Sequence, residues 1–433
     1  MKKAWFITLI AIITGVIFSI GFFKVPPTLV LIMEDMNVGL TTAGLLMSMI
    51  GVSSTLLALP GGAIMQKVGP RNMGLLAIAF AVAGNVGGAL APDMSVLLIS
   101  RLIEGVGFGM IGLVVPAVIA AWFPAEKRGL PMAVWTLWIS GGMLIIFNVT
   151  NLITPVLGWR GVWWFSTILF VMAGIMFSVV VKIPRRAENS PAHQPVKAAE
   201  KVSFWDGFKA PRAWMLAVMF TAYGFGSGAF CGYYPAFLVQ SLGMEPGTAN
   251  AYSSLATLGM MVGGMAMGIL LNRIRNRYHE ILLITCWIIS GIFFYFQFKL
   301  TFVGLILPFM LLMGIILQTI PPIIFTMAPD TATRAETVAT VMGIVSLGQN
   351  LGGLLSTAIV GAAVERSGRS WDGATAPLMA AVAVGCLAAV FLQILTRRKT
   401  EKMKRVCPYS DKGPGPCPSI KSGKSGEFVE PSN

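Results

Sequence analysis

Apolar residues fall in long runs along this chain, separated by short polar stretches, and twelve of the runs approach or exceed the length of a membrane span. They cover roughly 5–33, 40–64, 73–91, 95–121, 130–154, 161–182, 213–239, 248–271, 280–298, 302–327, 337–362 and 376–396. About 20 apolar residues in a helix cross the hydrocarbon core of a bilayer. The pattern therefore predicts an all-α membrane protein of twelve transmembrane helices. Lys2 and Lys3 ahead of the first run give it the look of a secretion signal. The run is too long for a signal's apolar region, and no A-x-A site follows, so it reads as the first span. The one long polar interruption, 183–211, contains Pro184, Pro191 and Pro195 and divides the spans six and six. The expected organisation is an N-terminal six-helix bundle over 1–182, a linker over 183–211, a C-terminal six-helix bundle over 212–396, and a basic, Pro/Gly/Ser-rich tail over 397–433 that is disordered.

Composition and charge sharpen this. Of 433 residues, 55% are hydrophobic and only 12% charged, about half the charged share of a soluble domain. A single water-soluble globule is excluded. The net charge of +14 invites a nucleic-acid reading until it is sorted by position. With the N-terminus inside, 26 of the 32 Lys and Arg fall on one side; Arg160, Lys299, Arg366 and Arg369 fall on the other, and Lys24 and Arg101 lie inside spans. Basic residues mark cytoplasmic loops, so both termini are expected in the cytoplasm and the chain in the plasma (inner) membrane, with no nucleic-acid partner. Cys231, Cys286 and Cys386 sit in apolar runs and Cys407 and Cys417 in the tail, which is neither a disulfide framework nor a metal site. There are two His and no phosphate-cradling G-x-x-x-x-G-K-[ST] loop. No metal, cofactor or enzymatic activity is expected.

The two halves repeat at one offset of 206 residues: Gly62 with Gly268, Lys67 with Arg273, Arg71 with Arg277, Pro116 with Pro322, Arg128 with Arg334, Ala133 with Ala339, Gly142 with Gly348. Six spans per repeat insert both halves in one orientation. Parallel repeats of this kind, related by a pseudo-two-fold axis along the membrane normal, place a substrate site near mid-membrane between them.

The loop Gly62-Ala-Ile-Met-Gln66-Lys67-Val-Gly69-Pro-Arg71 resembles the signature G-x-x-x-D-R-x-G-x-R of the major facilitator superfamily, and Gly268 through Asn272, Arg273, Arg275 and Arg277 is a degenerate copy. Arg101-Leu-Ile-Glu104-Gly105-Val-Gly107 is similar to that family's span-4 pattern R-x-x-Q/E-G-x-G, and Trp122-Phe123-Pro124 with Arg128-Gly129 to its loop between spans 4 and 5. The resemblance covers 5–396. It implies a secondary transporter working by alternating access, with these loops gating the conformational change. Pro116 through Trp135 loosely resembles the cyanate and nitroimidazole branch, and Lys24-x-x-Pro27 running to Glu34 the organic-anion branches. One departure stands out: Gln66 and Asn272 occupy the position where the family usually has an acid. An amide loses the charge interaction with a helix N-terminus, so the outward-facing state is expected to be less favoured here.

Ionisable residues inside spans are functional candidates by default. Two placements stand for Lys24: on the cavity wall near mid-membrane, binding an anion, or snorkelling to the interface if Pro26-Pro27 ends the helix. Arg101 and Glu104 share a helix face at i, i+3, either as a structural ion pair or as a coupling pair in which Glu104 takes a proton. Tyr234, Asn148 and Gln349 are the remaining cavity candidates, and Trp159, Trp163 and Trp164 read as an interfacial belt. The expected substrate is a small monoanion, with protons as co-substrate if Glu104 titrates, in a monomeric symporter. Proton-coupled efflux of lipophilic drugs, a non-transporting sensor and an intramembrane enzyme are the competing readings.

Overall fold

The computed structural model describes residues 2–124, 127–182, 210–275, 278–332 and 337–406. Arg277, Arg334, most of the linker, the tail beyond 406 and the side chain of Gln66 lie outside the described residues.

Among the described residues the secondary structure is helical, without strands. The first crossing is α1 (Lys2–Phe23), a bend at Lys24–Val25, a 3-10 turn over Pro26–Thr28, and α2 (Leu29–Met36). Pro26 and Pro27 have no N–H to continue the helix, which is why the run 5–33 is not one rod. Helix α3 (Leu40–Ala89) is two helices joined through Gly69, whose φ of +77° is open to glycine and strained for other residues. The glycine of the loop signature thus makes the turn between the second and third crossings. Helix α4 (Met94–Trp122) is the fourth crossing, and α5 (Gly129–Thr136) begins the fifth. Helix α6 (Trp138–Val180) completes the fifth and, through Gly158 at φ +60°, makes the sixth.

The second half comprises α7 (Pro211–Leu242), α8 (Pro246–Arg273), α9 (His279–Phe296), α10 (Val303–Leu317), α11 (Ile320–Met327), α12 (Val338–Arg366) and α13 (Thr375–Val406). Helices α10 and α11 are one crossing broken at Gln318–Thr319, just ahead of Pro321-Pro322. With α3 and α6 each counted as two, the described residues make twelve crossings, six before the linker and six after it. One end of the bundle carries Gly69, residues 123–124, 127–128, 274–275, 278 and 328–332 and is called the basic end; the other is the far end.

Close packing within each half rests on small residues. A Cβ at Gly105 of α4 would lie 2.2 Å from Ser53 Oγ and 2.7 Å from the Ile50 carbonyl of α3, so the backbones meet only because position 105 has no side chain. The outer surface is apolar: Leu152, Val156, Val179 and Ile175 are more than half exposed. Such a belt is what lipid covers.

Candidate functional site

The break in the first crossing creates the site. Pro26 cannot give an N–H to the Phe22 carbonyl, one helical turn back. Arg101 of α4 supplies the missing donor: Nη2 bonds Phe22 O at 2.9 Å, Nη1 bonds Gly21 O at 2.9 Å, and Nε bonds Leu46 O of α3 at 3.1 Å. The guanidinium thus ties three helices together while its Nη1 also donates to Glu104 Oε2 at 2.6 Å.

Lys24, at the break itself, donates to both oxygens of Glu104, at 2.9 and 3.1 Å, and to Asn85 Oδ1 at 2.5 Å. Asn85 donates its amide to Ala81 O at 2.8 Å, which orients its oxygen toward the ammonium. The ammonium also lies 4.3 Å from the centroid of the Trp163 ring, a favourable cation–π distance. Lys24 and Arg101 are 0% exposed and Glu104 4%. Two cations therefore share one carboxylate, and among the described residues no second acid pairs with either cation. The cluster holds one positive charge in excess when all three groups are ionised. Buried charges survive only when paired and hydrogen-bonded, so its state is sensitive to any anion or proton that reaches it.

These positions correct two expectations. Lys24 is neither on a cavity wall nor at the interface in this conformation; the helix break turns it into the first half, against Glu104. Trp163 is fully buried above Lys24, and Trp159 is buried and bonds Asp35 Oδ2 at 3.0 Å; only Trp164 of that trio is exposed. The polar candidates do not converge either. Tyr234 is buried inside the second half among Phe230, Phe237, Phe298 and Phe309. Asn148 is exposed on the face shared with Ile145 and Leu152 and donates to its own helix at Leu144 O, 2.8 Å. Gln349 is half-buried on α12. Asn85 was missed, and Trp163 was read only as part of the interfacial belt, not as a partner of Lys24. Asn85 is the lone amide in the run 73–91 and could have been found on that ground; nothing local marks Trp163.

At the signature loops, Lys67 is exposed, while Arg71 Nη2 bonds Ser178 O at 2.8 Å and so closes the last turn of α6. Gly62 lies within α3 and Gly268 is half-buried near the end of α8, followed by the exposed Asn272 and Arg273.

A set of contacts joins the two halves at the far end. Glu365, at the end of α12, accepts the Thr41 N–H at 3.0 Å and the Thr41 hydroxyl. It serves as an N-terminal cap for α3 supplied by the other half, since no side chain of its own neighbourhood caps that helix. Tyr233 of α7 donates at bonding distance from Thr357 O (2.6 Å) and Leu40 O (3.2 Å). Ser48 meets Thr357 Oγ1 at 2.7 Å, and Asn250 of α8 donates to Asn151 Oδ1 at 2.9 Å. Glu365 was also missed, because a carboxylate beside Arg366 at a span end reads as solvated. Removing its charge with Glu365→Gln should weaken the cross-half cap by about 1–2 kcal/mol. We expect roughly tenfold faster labelling of a Ser48→Cys reporter by a thiol reagent in a background lacking the native cysteines; an unchanged rate would show that Glu365 does not hold the far end closed.

Comparison with known proteins places this geometry. A family profile described as the Major Facilitator Superfamily matches residues 11–357 and 216–411. The cyanate transport protein CynX of Escherichia coli (strain K12) is 26% identical over 245 residues, which are 56% of this chain and 61% of that protein. The chain thus spans less than two thirds of the length of the curated relatives it matches. A bacterial homologue of the human lysosomal transporter Spinster, in an inward-facing and unoccupied conformation, superposes with a TM-score of 0.73 at 13% identity, covering 91% of this chain and 97% of that one. A D-xylose–proton symporter gives 0.69 at 17% identity, covering 89% and 96%. At these identities the structural likeness concerns the fold.

Proposed function

The chain belongs to the Major Facilitator Superfamily, and from that premise we propose that it carries a small monoanion together with a proton by alternating access. That it is a membrane transporter of small molecules, and not an enzyme, follows from the family. The choice of solute and coupling is the further step, and the excess positive charge of the Lys24–Arg101–Glu104 cluster carries it.

Without substrate, Glu104 neutralises Lys24 and the three backbone carbonyls hold Arg101. A proton bound by Glu104 removes the carboxylate's charge and releases Lys24, leaving two uncompensated cations. One monoanion then restores the starting balance. Proton plus anion leave the net charge of the cluster unchanged, so the loaded and empty carriers present the same buried charge to the membrane. Burial of an additional net charge is what a bilayer penalises most, so this pairing gives an electroneutral symport. The cyanate transport of the related CynX is in keeping with a small anion. A lipophilic cation is disfavoured, because the cluster would repel it.

The direction of opening supports the same cycle. If the basic end is cytoplasmic, as the distribution of Lys and Arg suggests, the contacts of Glu365, Tyr233, Ser48 and Asn250 close the outer side. The family resemblance points the same way, since the sequence has Gln66 and Asn272 where the family's loop signature usually carries an acid. The test is anion binding to the purified protein, with cyanate and other small monoanions as probes. Affinity should rise as pH falls, with about one proton taken up per anion bound. Binding with no proton uptake would remove the coupling.

A further inference from the structure

A pocket of about 650 Å³ opens at the basic end of the second half, away from the buried charge cluster of the first, and is lined by α8, α9, α11 and the Ile274 position of the loop between α8 and α9. Its polar wall is Asn272, His279 and Thr326; its apolar floor includes Leu271 and Phe325. His279 is only 4% exposed, and its Nε2 is buried without a hydrogen-bond partner among the described residues. A ring nitrogen left in this state is costly unless something in the pocket satisfies it.

The surroundings define what that something is. His279 is the first residue of the 18-residue helix α9, whose N-terminus has no side-chain cap. The acid in its first turn, Glu280, is engaged elsewhere, accepting from Arg212 at 3.1 Å and from Thr396 at 2.5 Å. The positive end of the helix dipole at this N-terminus favours an anion. Among the described residues no acid lines the pocket, and the exposed Arg273 and Arg275 are chain neighbours of its lining residues Asn272 and Ile274. Asn272 occupies the place where the family's loop signature carries an acid in its complete form. An acid there would repel an anion, whereas an amide can donate to one. The departure from the signature and the unpartnered histidine point to the same ligand.

We propose that this pocket binds a phosphate group, held by His279, Asn272 and the N-terminus of α9. A membrane phospholipid headgroup and free phosphate share that chemistry. A pocket between helix ends with exposed arginines next to its lining suits the former, and the floor of Leu271 and Phe325 offers apolar contact to the part of a lipid below its phosphate. The proposal stands apart from the transport reading and needs no substrate.

The test measures the melting midpoint of the full-length purified protein titrated with phosphatidylglycerol, with phosphatidylcholine as reference, and separately with inorganic phosphate. Wild type is compared with His279→Leu, with the isosteric Asn272→Asp, and with Arg160→Gln at the far end. Phosphatidylglycerol should stabilise wild type and Arg160→Gln equally. In His279→Leu and Asn272→Asp the half-saturating concentration should rise about tenfold or more, the loss of a hydrogen bond to a charged group. Variant-sensitive stabilisation by inorganic phosphate as well assigns the site to a free anion; by phosphatidylglycerol alone, to a headgroup. The same response in wild type and both pocket variants, or no response to either phosphate, overturns the proposal.

Discussion

Glu104→Gln is expected to be among the most destabilising single substitutions in this chain. It leaves Lys24 and Arg101 buried with no counter-charge. Breaking a buried pair by removing one partner costs about 3–5 kcal/mol. Adding Lys24→Met in the same chain returns the cluster to one excess positive charge, so the double variant should recover a large part of that loss. Thermal unfolding of the purified variants checks both statements; a double variant no more stable than Glu104→Gln would show that the two side chains are not coupled. The same substitution has a functional signature. Glutamine imitates the protonated acid, so anion binding should persist in the folded fraction and lose its dependence on pH. Exchange of anion across the membrane should survive, while accumulation driven by a pH gradient should not.

Lys24→Met is expected to separate stability from function. It removes the excess cation and leaves Arg101 and Glu104 as a one-to-one pair. The remaining pair is charge-balanced, which sets this change apart from breaking a buried pair, although Glu104 Oε1 and Asn85 Oδ1 lose a donor. The melting midpoint should therefore change far less than in Glu104→Gln. Anion affinity should fall roughly 10–100-fold, the worth of a charge-assisted hydrogen bond. A large drop in midpoint with unchanged anion affinity would make Lys24 a structural residue, and the substrate would bind elsewhere.

The membrane fold was legible in the sequence because lipid imposes a pattern that needs no tertiary information: long apolar runs, basic residues sorted by side, and one constant repeat offset. The i, i+3 spacing likewise put Arg101 and Glu104 on one face, and they are bonded at 2.6 Å. What was not legible depends on how helices pack. Lys24 and Glu104 are 80 residues apart in the chain, and only the Pro26-Pro27 break and the approach of α4 bring them together. The same break frees the Phe22 carbonyl that Arg101 then satisfies, a consequence of proline chemistry that becomes visible only with the partner helix in place. Tyr234 and Asn148 misled for the converse reason. A polar side chain in an apolar span signals an interior, a lipid-facing or a cavity position equally well, and the helix's rotation decides which. Glu365 was hidden because its partner is a helix N-terminus in the other half, which leaves no mark in local sequence.

Under the proposed cycle, proton and monoanion move together without net charge. This is tested most directly by anion uptake into proteoliposomes in which a pH gradient and a membrane potential are imposed separately, with cyanate as the probe. Accumulation should follow the pH gradient, be indifferent to the potential, and be lost in Glu104→Gln. Accumulation that follows the potential and ignores the pH gradient would contradict the cycle.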